Sequence, residues 1–289
     1  MPLEDAVNGV VWINGEYTNF GDATVALEDR GFYFGDGVYE VARVYNGRIF
    51  ALDRHLARLH RSASAIDLEL PLSETEFTNL CNDLLDRSQI KDAEIYIQIT
   101  RGAARRNHGF PENVKPTVVV GVRAVRQIPD DVYETGGSLI TLPDERWARC
   151  DLKTICLLPN VLAKERAHRE GAFEALFVRD GFVTEGSSCN VFTWRDGSLV
   201  TPISDNRILP GITRSVVLEI ARERGYNVVE RNLTPDEIYA SDEVFITSTT
   251  IELLPIVQVD DRKIGNGKPG DIRGDLQAAF NSLTGKFTS

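Results

Sequence analysis

Short runs of alternating apolar and polar positions fill the first fifty residues. They are Val10-Val11-Trp12-Ile13 before an Asn14-Gly15 turn, Val38 to Val44 before an Asn46-Gly47 turn, and then Arg48 to Ala51. Period-two alternation closed by Asn-Gly is the pattern of hairpin strands. The period then changes. Leu56, Leu59, Ala63 and Ile66 share one face of a helix, with Asp53 as its expected N-cap. Ser73-Glu74-Thr75-Glu76 spells a capping box, and the helix after it turns Phe77, Leu80, Cys81, Leu84 and Leu85 inward. Glu94 to Arg101 alternates again, with Ile95, Ile97 and Ile99 on one face, and Thr117 to Val122 is a near-continuous apolar strand. Two helices among hairpin strands predict a small α+β domain over residues 1–125.

Arg126-Gln127-Ile128-Pro129-Asp130-Asp131 is polar and contains proline, so an interdomain linker is expected over 126–132. A larger domain is expected over 133–289. Its signals are a hairpin from Phe173 to Thr184 turning at Asp180-Gly181, and a helix from about Asn160 to Glu170 closing on Gly171. Further helices are expected over Ile212 to Arg224, over Pro235 to Tyr239, and from Asp271 with Ile272, Leu276, Phe280 and Leu283 spaced for burial. The expected fold class is mixed α/β (α+β).

Composition narrows the function. A chain of 289 residues with 42% hydrophobic and 26% charged residues has ample core for such a fold. A net charge of −11 argues against nucleic acid as a partner. No apolar run approaches about 18 residues, so no membrane span is expected. Met1 to Asp5 is acidic and lacks an apolar signal core, which leads us to expect a cytoplasmic protein. Cys81, Cys150, Cys156 and Cys189 show no CxxC spacing and no histidines at zinc-ligand intervals, so buried reduced thiols and no metal are expected. Gly265-Asn266-Gly267-Lys268-Pro269-Gly270 matches a dinucleotide fingerprint, but it contains proline and too few residues follow it for a second βαβ strand. It reads as a loop before the last helix.

The candidate chemistry begins at Lys153, which has Leu152, Ile155, Leu157 and Leu158 around it. A lysine against an apolar wall loses charge by desolvation and becomes an amine available for a Schiff base. Lys164 is a rival, on a helix rich in Ala, Glu and Arg where it is expected to face water. Glu185 ends a hairpin and precedes Gly186-Ser187-Ser188, a place suited to holding a charged ring nitrogen; the alternative is a plain pair with an arginine. Leu209-Pro210-Gly211-Ile212-Thr213 opens a helix whose Ile212 and Thr213 amides would seat an anion. Thr247-Ser248-Thr249-Thr250 supplies hydroxyls after an apolar strand, and Arg58 would add charge unless it joins Arg54 and Arg61 on a solvated face. Arg106-Asn107-His108 makes a second anion site, or a basic loop in water.

Seven segments in order carry a resemblance. They are Asp29-Arg30-Gly31 with Phe34-Gly35-Asp36-Gly37-Val38-Tyr39-Glu40, Arg101-Gly102 with Arg106-Asn107-His108, and Cys150-Asp151-Leu152-Lys153. Leu162-Ala163-Lys164, Thr184 to Asn190, Gly211-Ile212-Thr213-Arg214 and Thr247-Ser248-Thr249-Thr250 follow. Together they make the chain resemble the fold-type IV pyridoxal-phosphate aminotransferases, within them the D-amino acid aminotransferases, from about residue 10 to 285.

The resemblance implies a small N-terminal α/β domain, a larger C-terminal domain with a barrel-like sheet, and pyridoxal 5'-phosphate as cofactor. It implies that Lys153 forms the Schiff base and shuttles the proton, and that Glu185 keeps the ring nitrogen protonated. It implies further cofactor contacts from Arg58, Ser188, Leu209, Ile212, Thr213, Ser248 and Thr249. On the substrate side it implies Tyr39 and Val41, with Arg106 and His108 reaching across from the partner of a homodimer to trap the α-carboxylate. Arg105 stands where close relatives often have proline, so it shares or takes over that role. The implied activity is transamination of D-amino acids such as D-alanine with an acceptor such as 2-oxoglutarate. The rivals are a branched-chain L-amino acid or (R)-amine transaminase, an aminodeoxychorismate lyase and a non-catalytic module. The Arg106/His108 pair, absent from branched-chain relatives, favours the D-substrate.

Overall fold

Asn14 and Gly15, both at positive φ, turn strand β1 (Gly9–Ile13) back into β2 (Glu16–Asn19), as their sequence signal predicts. The computed structural model in which this is seen describes residues 9–286. Contacts gather them into two units. One runs to Arg126 and adds Leu152–Cys156; the other holds Gln127–Asp151 and continues from Leu157.

The first unit continues with α1 (Arg30–Phe34), β3 (Gly37–Tyr45), β4 (Arg48–Ile49), α2 (Leu52–Ser64), α3 (Glu74–Ser88), β5 (Ala93–Thr100) and β6 (Thr117–Ala124). Its six strands form one antiparallel sheet in the order β2-β1-β6-β5-β3-β4. Leu56 and Leu59 of α2, Phe77 and Leu84 of α3, and Ile95, Ile97 and Ile99 of β5 meet in its core, all essentially solvent-free. The capping box at Ser73 is formed in both directions with Glu76. The N-cap of α2 differs from expectation: Ala51 holds it in a left-handed conformation without a side-chain bond, and Asp53 lies in the first turn. There its charge favours the positive end of the helix instead.

The expected linker is partly helical. Helix α4 (Asp130–Thr135) follows Pro129, and Ile128 and Val132 pack on the second core, so burial of these two side chains outweighs the polar character of the stretch. The second unit then runs β7 (Gly137–Pro143), α5 (Leu158–Arg169), β8 (Glu174–Arg179), β9 (Phe182–Gly186), β10 (Asn190–Arg195), β11 (Ser198–Thr201), α6 (Ile212–Glu223), β12 (Asn227–Glu230), α7 (Pro235–Tyr239), β13 (Glu243–Ser248), β14 (Glu252–Val259), β15 (Arg262–Lys263) and α8 (Asp271–Thr284). Helices α5 and α6 are crossovers, since each joins two parallel strands. The sheet order is β12-β11-β10-β13-β14-β7-β8-β9, with β15 beside β14. Its two ends meet where the Val183 amide of β9 donates to the Leu233 carbonyl just past β12 (2.7 Å), which curls the sheet into a partial barrel. Leu139, Leu176, Val191, Ile246 and Leu254 fill it. The stretch 265–270 lies between β15 and α8, with Gly270 as the N-cap of α8. No helix among the described residues is long and apolar enough to cross a membrane.

The segment carrying Lys153 was expected within 133–289 but packs with the first unit. Val38 and Thr154 form an antiparallel bridge, the Tyr39 amide donates to the Lys153 carbonyl (3.0 Å) and the Ile155 amide to the Gly37 carbonyl (3.1 Å). The edge of β3 not used by β5 thus pairs with a segment more than a hundred residues away. Its register is a long-range one that no local period announces. Three of the four cysteines are buried and unpaired, but Cys156 is exposed, because it sits on this edge segment rather than in a core.

Candidate active site

In the first unit the side chains at issue surround the start of β3. Alternation sends Val38, Glu40, Ala42 and Val44 toward the core and Tyr39 and Val41 to the opposite face. Lys153 is half-buried. Its Nζ lies 4.2 Å from the centroid of the Tyr39 ring; of the residues expected to build an apolar wall, Leu152 is buried and Leu158 exposed. The backbone of Lys153 is held twice, by its amide donating to the fully buried Ser62 Oγ (3.1 Å) and by its carbonyl accepting from Tyr39.

Arg58 lies on the buried face of α2, not on a solvated one. It grips Glu40 at two points, Nε to Oε1 at 2.6 Å and Nη2 to Oε2 at 2.8 Å, while His55 Nδ1 meets Oε2 at 2.7 Å. Burial raises the Glu40 pKa, but the charge and hydrogen bonds of Arg58, helped by His55, outweigh it and hold the carboxyl at about 2. Removing one member of such a buried pair typically costs about 3–5 kcal/mol, so Glu40 fixes Arg58 in place. An acid on the inward face of an otherwise apolar strand, with His55 and Arg58 three apart on a helix, is a signal that points to this cluster.

The loop after β5 carries Arg106 and His108, both exposed. Phe34 draws them together: the Arg106 guanidinium carbon is 5.2 Å and the His108 ring 5.4 Å from the centroid of its ring. Among the described residues no carboxylate pairs with Arg105, Arg106 or His108. Tyr39 is on β3, and its described contacts within the chain are with Lys153 and Tyr96, not with this loop.

In the second unit Asn190 is the hub. Its Nδ2 donates to Glu185 Oε2 (3.0 Å) and to the Leu209 carbonyl (2.9 Å), and its backbone lies opposite Thr247 in the β10–β13 register. A Cβ on Gly211 would stand 2.2 Å from Asn190 Oδ1, so only glycine lets the start of α6 approach this closely. The end of β9, the start of α6 and the end of β13 therefore converge, bringing Glu185, Leu209, Ile212, Thr213 and Ser248 into one neighbourhood. Thr249 follows β13 directly. No side chain caps α6, and the hydroxyl of Thr247 is buried without a partner among the described residues.

Glu185 is buried and accepts from Arg146 Nη1 (2.5 Å) and twice from the Leu209 amide (3.1 and 3.0 Å). Arg146 also holds Asp144, with Nε 2.9 Å from Oδ1. Burial dominates and pushes the Glu185 carboxyl up to about 7, against the pull of Arg146 and the Leu209 amide. A shared guanidinium leaves this carboxylate under-compensated, and a protonated ring nitrogen is the kind of cation that would complete it. Together with an uncapped helix start and an orphaned hydroxyl, both suited to a phosphate, these groups fit pyridoxal phosphate. Sequence reasoning missed Asp144, Arg146 and Asn190, which have no distinctive local spacing.

Ser188 is engaged elsewhere: its hydroxyl donates to Glu174 Oε2 (3.1 Å), beside the bond from Ser187 to the same carboxylate. Lys164 is exposed, as expected of its helix, and its ammonium also reaches Glu174 (3.1 Å) and the Phe173 carbonyl, because a buried carboxylate needs a cation.

Comparison with known proteins gives a consistent picture. Residues 37–259 match the family model described as amino-transferase class IV. The D-alanine aminotransferase of Bacillus licheniformis is 42% identical over 272 residues, 94% of this chain and 96% of that protein. Among solved structures, the Escherichia coli branched-chain amino acid aminotransferase superposes with a TM-score of 0.90 at 27% identity, covering 97% of this chain and 96% of that one. The branched-chain amino acid aminotransferase of T.th., solved with pyridoxamine 5'-phosphate, gives 0.89 at 29% identity, covering 97% and 95%.

Proposed function

The chain belongs to the class IV aminotransferases, and on that premise we propose that it transfers the amino group of a D-amino acid such as D-alanine to a 2-oxo acid such as 2-oxoglutarate, with pyridoxal 5'-phosphate as cofactor. When bound, this cofactor supplies an aldehyde carbon that takes an amine and a ring that draws electrons from the substrate α-carbon. Lys153 is the amine that holds it and the base that moves the α-proton, its backbone pinned by Ser62 and Tyr39. Glu185 keeps a charged partner at the ring nitrogen. The amides and hydroxyls of Ile212, Thr213, Ser248 and Thr249 seat the phosphate, with Arg58 adding charge from α2.

The observation that carries the substrate reading is the pair Arg106 and His108, gathered on Phe34 without a carboxylate partner among the described residues. A substrate carboxylate is the natural occupant, gripped at two points by the guanidinium. In this reading Tyr39 and Val41 line the substrate side, and Arg105 shares the load. The resemblance to D-alanine aminotransferase over nearly the whole chain supports the D-enantiomer. In this reading the enzyme is a cytoplasmic homodimer in which the 105–108 loop of each subunit serves the other's site.

Steady-state rates with D-alanine, L-leucine and (R)-phenylethylamine test the proposal. D-alanine should be strongly preferred, and the yellow absorbance of the bound cofactor should vanish in Lys153→Ala. Preference for L-leucine would move the protein to the branched-chain group, and a colourless protein indifferent to pyridoxal phosphate would end the reading altogether.

A further inference from the structure

Arg30, only 4% exposed, makes none of the contacts proposed for cofactor or substrate, yet every arm of its guanidinium is used. Nε donates to Asp36 Oδ2 (2.7 Å). Nη1 donates to the carbonyls of Asn107 (2.6 Å) and Gly109 (3.2 Å), and Nη2 to that of His108 (3.4 Å). Three successive carbonyls of an exposed loop thus close on one buried cation. Asp36 is itself shared with Arg101, whose Nε lies 2.9 Å from Oδ2 and whose Nη atoms hold the Ile66 and Asp67 carbonyls just past α2. The chain on either side is also tied. The Arg30 amide donates to the Gly102 carbonyl (2.9 Å) and the Ala104 amide to the Glu28 carbonyl (3.1 Å).

We infer that Arg30 is a positioning residue for carboxylate recognition: by fixing the backbone of residues 107–109 it sets the directions in which Arg106 and His108 point. The inference rests on the reading that these two side chains grip the substrate carboxylate. The physical argument has two parts. A trans peptide directs its N–H opposite its C=O, so carbonyls turned onto Arg30 turn the amides of His108, Gly109 and Phe110 away from it. Gly109 spends its amide on Asn107 Oδ1 (3.3 Å), which braces the same turn from within the loop. Secondly, Arg30 and Arg106 both stack on Phe34, at 4.9 and 5.2 Å from its centroid, so the clamp and the grip share one wall. Only a planar fork reaches three carbonyls and a carboxylate at once; an ammonium cannot.

A double-mutant cycle on the full-length holoenzyme tests this, with D-alanine and 2-oxoglutarate as substrates and cofactor absorbance as an independent readout. R30Q should raise both KM values about tenfold or more, with kcat within about threefold and the cofactor retained, because a misaimed grip weakens binding before it touches the chemistry. R30K should fall between wild type and R30Q. In an R106A background the effect of R30Q should shrink well below its effect in wild type, since of the two side chains it positions only His108 remains. Effects that multiply in the double variant, or a fall in kcat and cofactor content with KM unchanged, would overturn the inference. If R30Q does not fold, R30K carries the same cycle with the same outcomes. An R106A enzyme with wild-type KM values is a different result: it removes the carboxylate grip itself, and the role of Arg30 goes with it.

Discussion

Two buried carboxyls, Glu40 and Glu185, are both pushed up by burial yet end on opposite sides of the ordinary value, and the difference lies in how their cations are divided. Glu40 has Arg58 at two points and His55 besides, and is held at about 2. Glu185 shares Arg146 with Asp144 and is pushed up to about 7 from an ordinary 4.5. A carboxyl whose pKa rises on folding stabilises the fold in its protonated form. That contribution is complete below about pH 4.5 and is lost as pH climbs through about 7. Cofactor-free enzyme should therefore lose melting temperature across this window, whereas apo E185Q, which has no proton to lose there, should not. Adding pyridoxal phosphate should flatten the wild-type slope, because a pyridinium nearby favours the ionised carboxylate. Scanning calorimetry of both apo proteins at half-unit pH steps measures this. Parallel curves for wild type and E185Q would mean that Arg146 alone satisfies Glu185.

At the scale of elements, Gly211 is the joint on which the proposed cofactor neighbourhood turns. Its φ of −63° is open to any residue, so the need for glycine is a matter of contact: a Cβ would press within 2.2 Å of Asn190 Oδ1. Gly211→Ala should push the start of α6 away from the Asn190 hub and weaken pyridoxal phosphate binding about tenfold or more, with most of kcat recovered at saturating cofactor. Titrating the apo variant with pyridoxal phosphate gives the affinity, and an unchanged value would show that α6 does not seat the phosphate. Elements of this kind were legible where the signal is local. The capping box at Ser73, the Ile95/Ile97/Ile99 alternation of β5 and the Gly171 closure of α5 all stand as read from the chain. What escaped depends on distant partners. Lys153 joins the first unit through Val38 and Gly37, Arg146 meets Glu185 across 39 positions, and α4 owes its helix to the core beneath Ile128 and Val132. No residue spacing encodes such pairings. The candidate lysine and glutamate were found by their type and their resemblance, while the groups that hold them needed coordinates.

For the molecule as a whole, the decisive question is whether, in the proposed homodimer, each 105–108 loop serves its own subunit's site or the other's. Within one chain that loop's described side-chain neighbours are in the first unit, centred on Phe34, and Arg105, Arg106 and His108 have no carboxylate partner among the described residues. If each loop serves the other subunit's site, lesions in Lys153 and Arg106 complement. In a mixed dimer of K153A and R106A chains, one site combines an intact lysine with an intact loop and the other has neither. Random assortment makes about half of all dimers mixed, with one working site in two, so a refolded equimolar mixture should recover about a quarter of wild-type activity at low D-alanine. Either parent alone should show almost none under those conditions. A mixture no more active than the mean of its parents would place both groups in one subunit's site. The 105–108 loop would then have to reach Lys153 within its own chain, and the pairing of subunits would carry no part of substrate recognition.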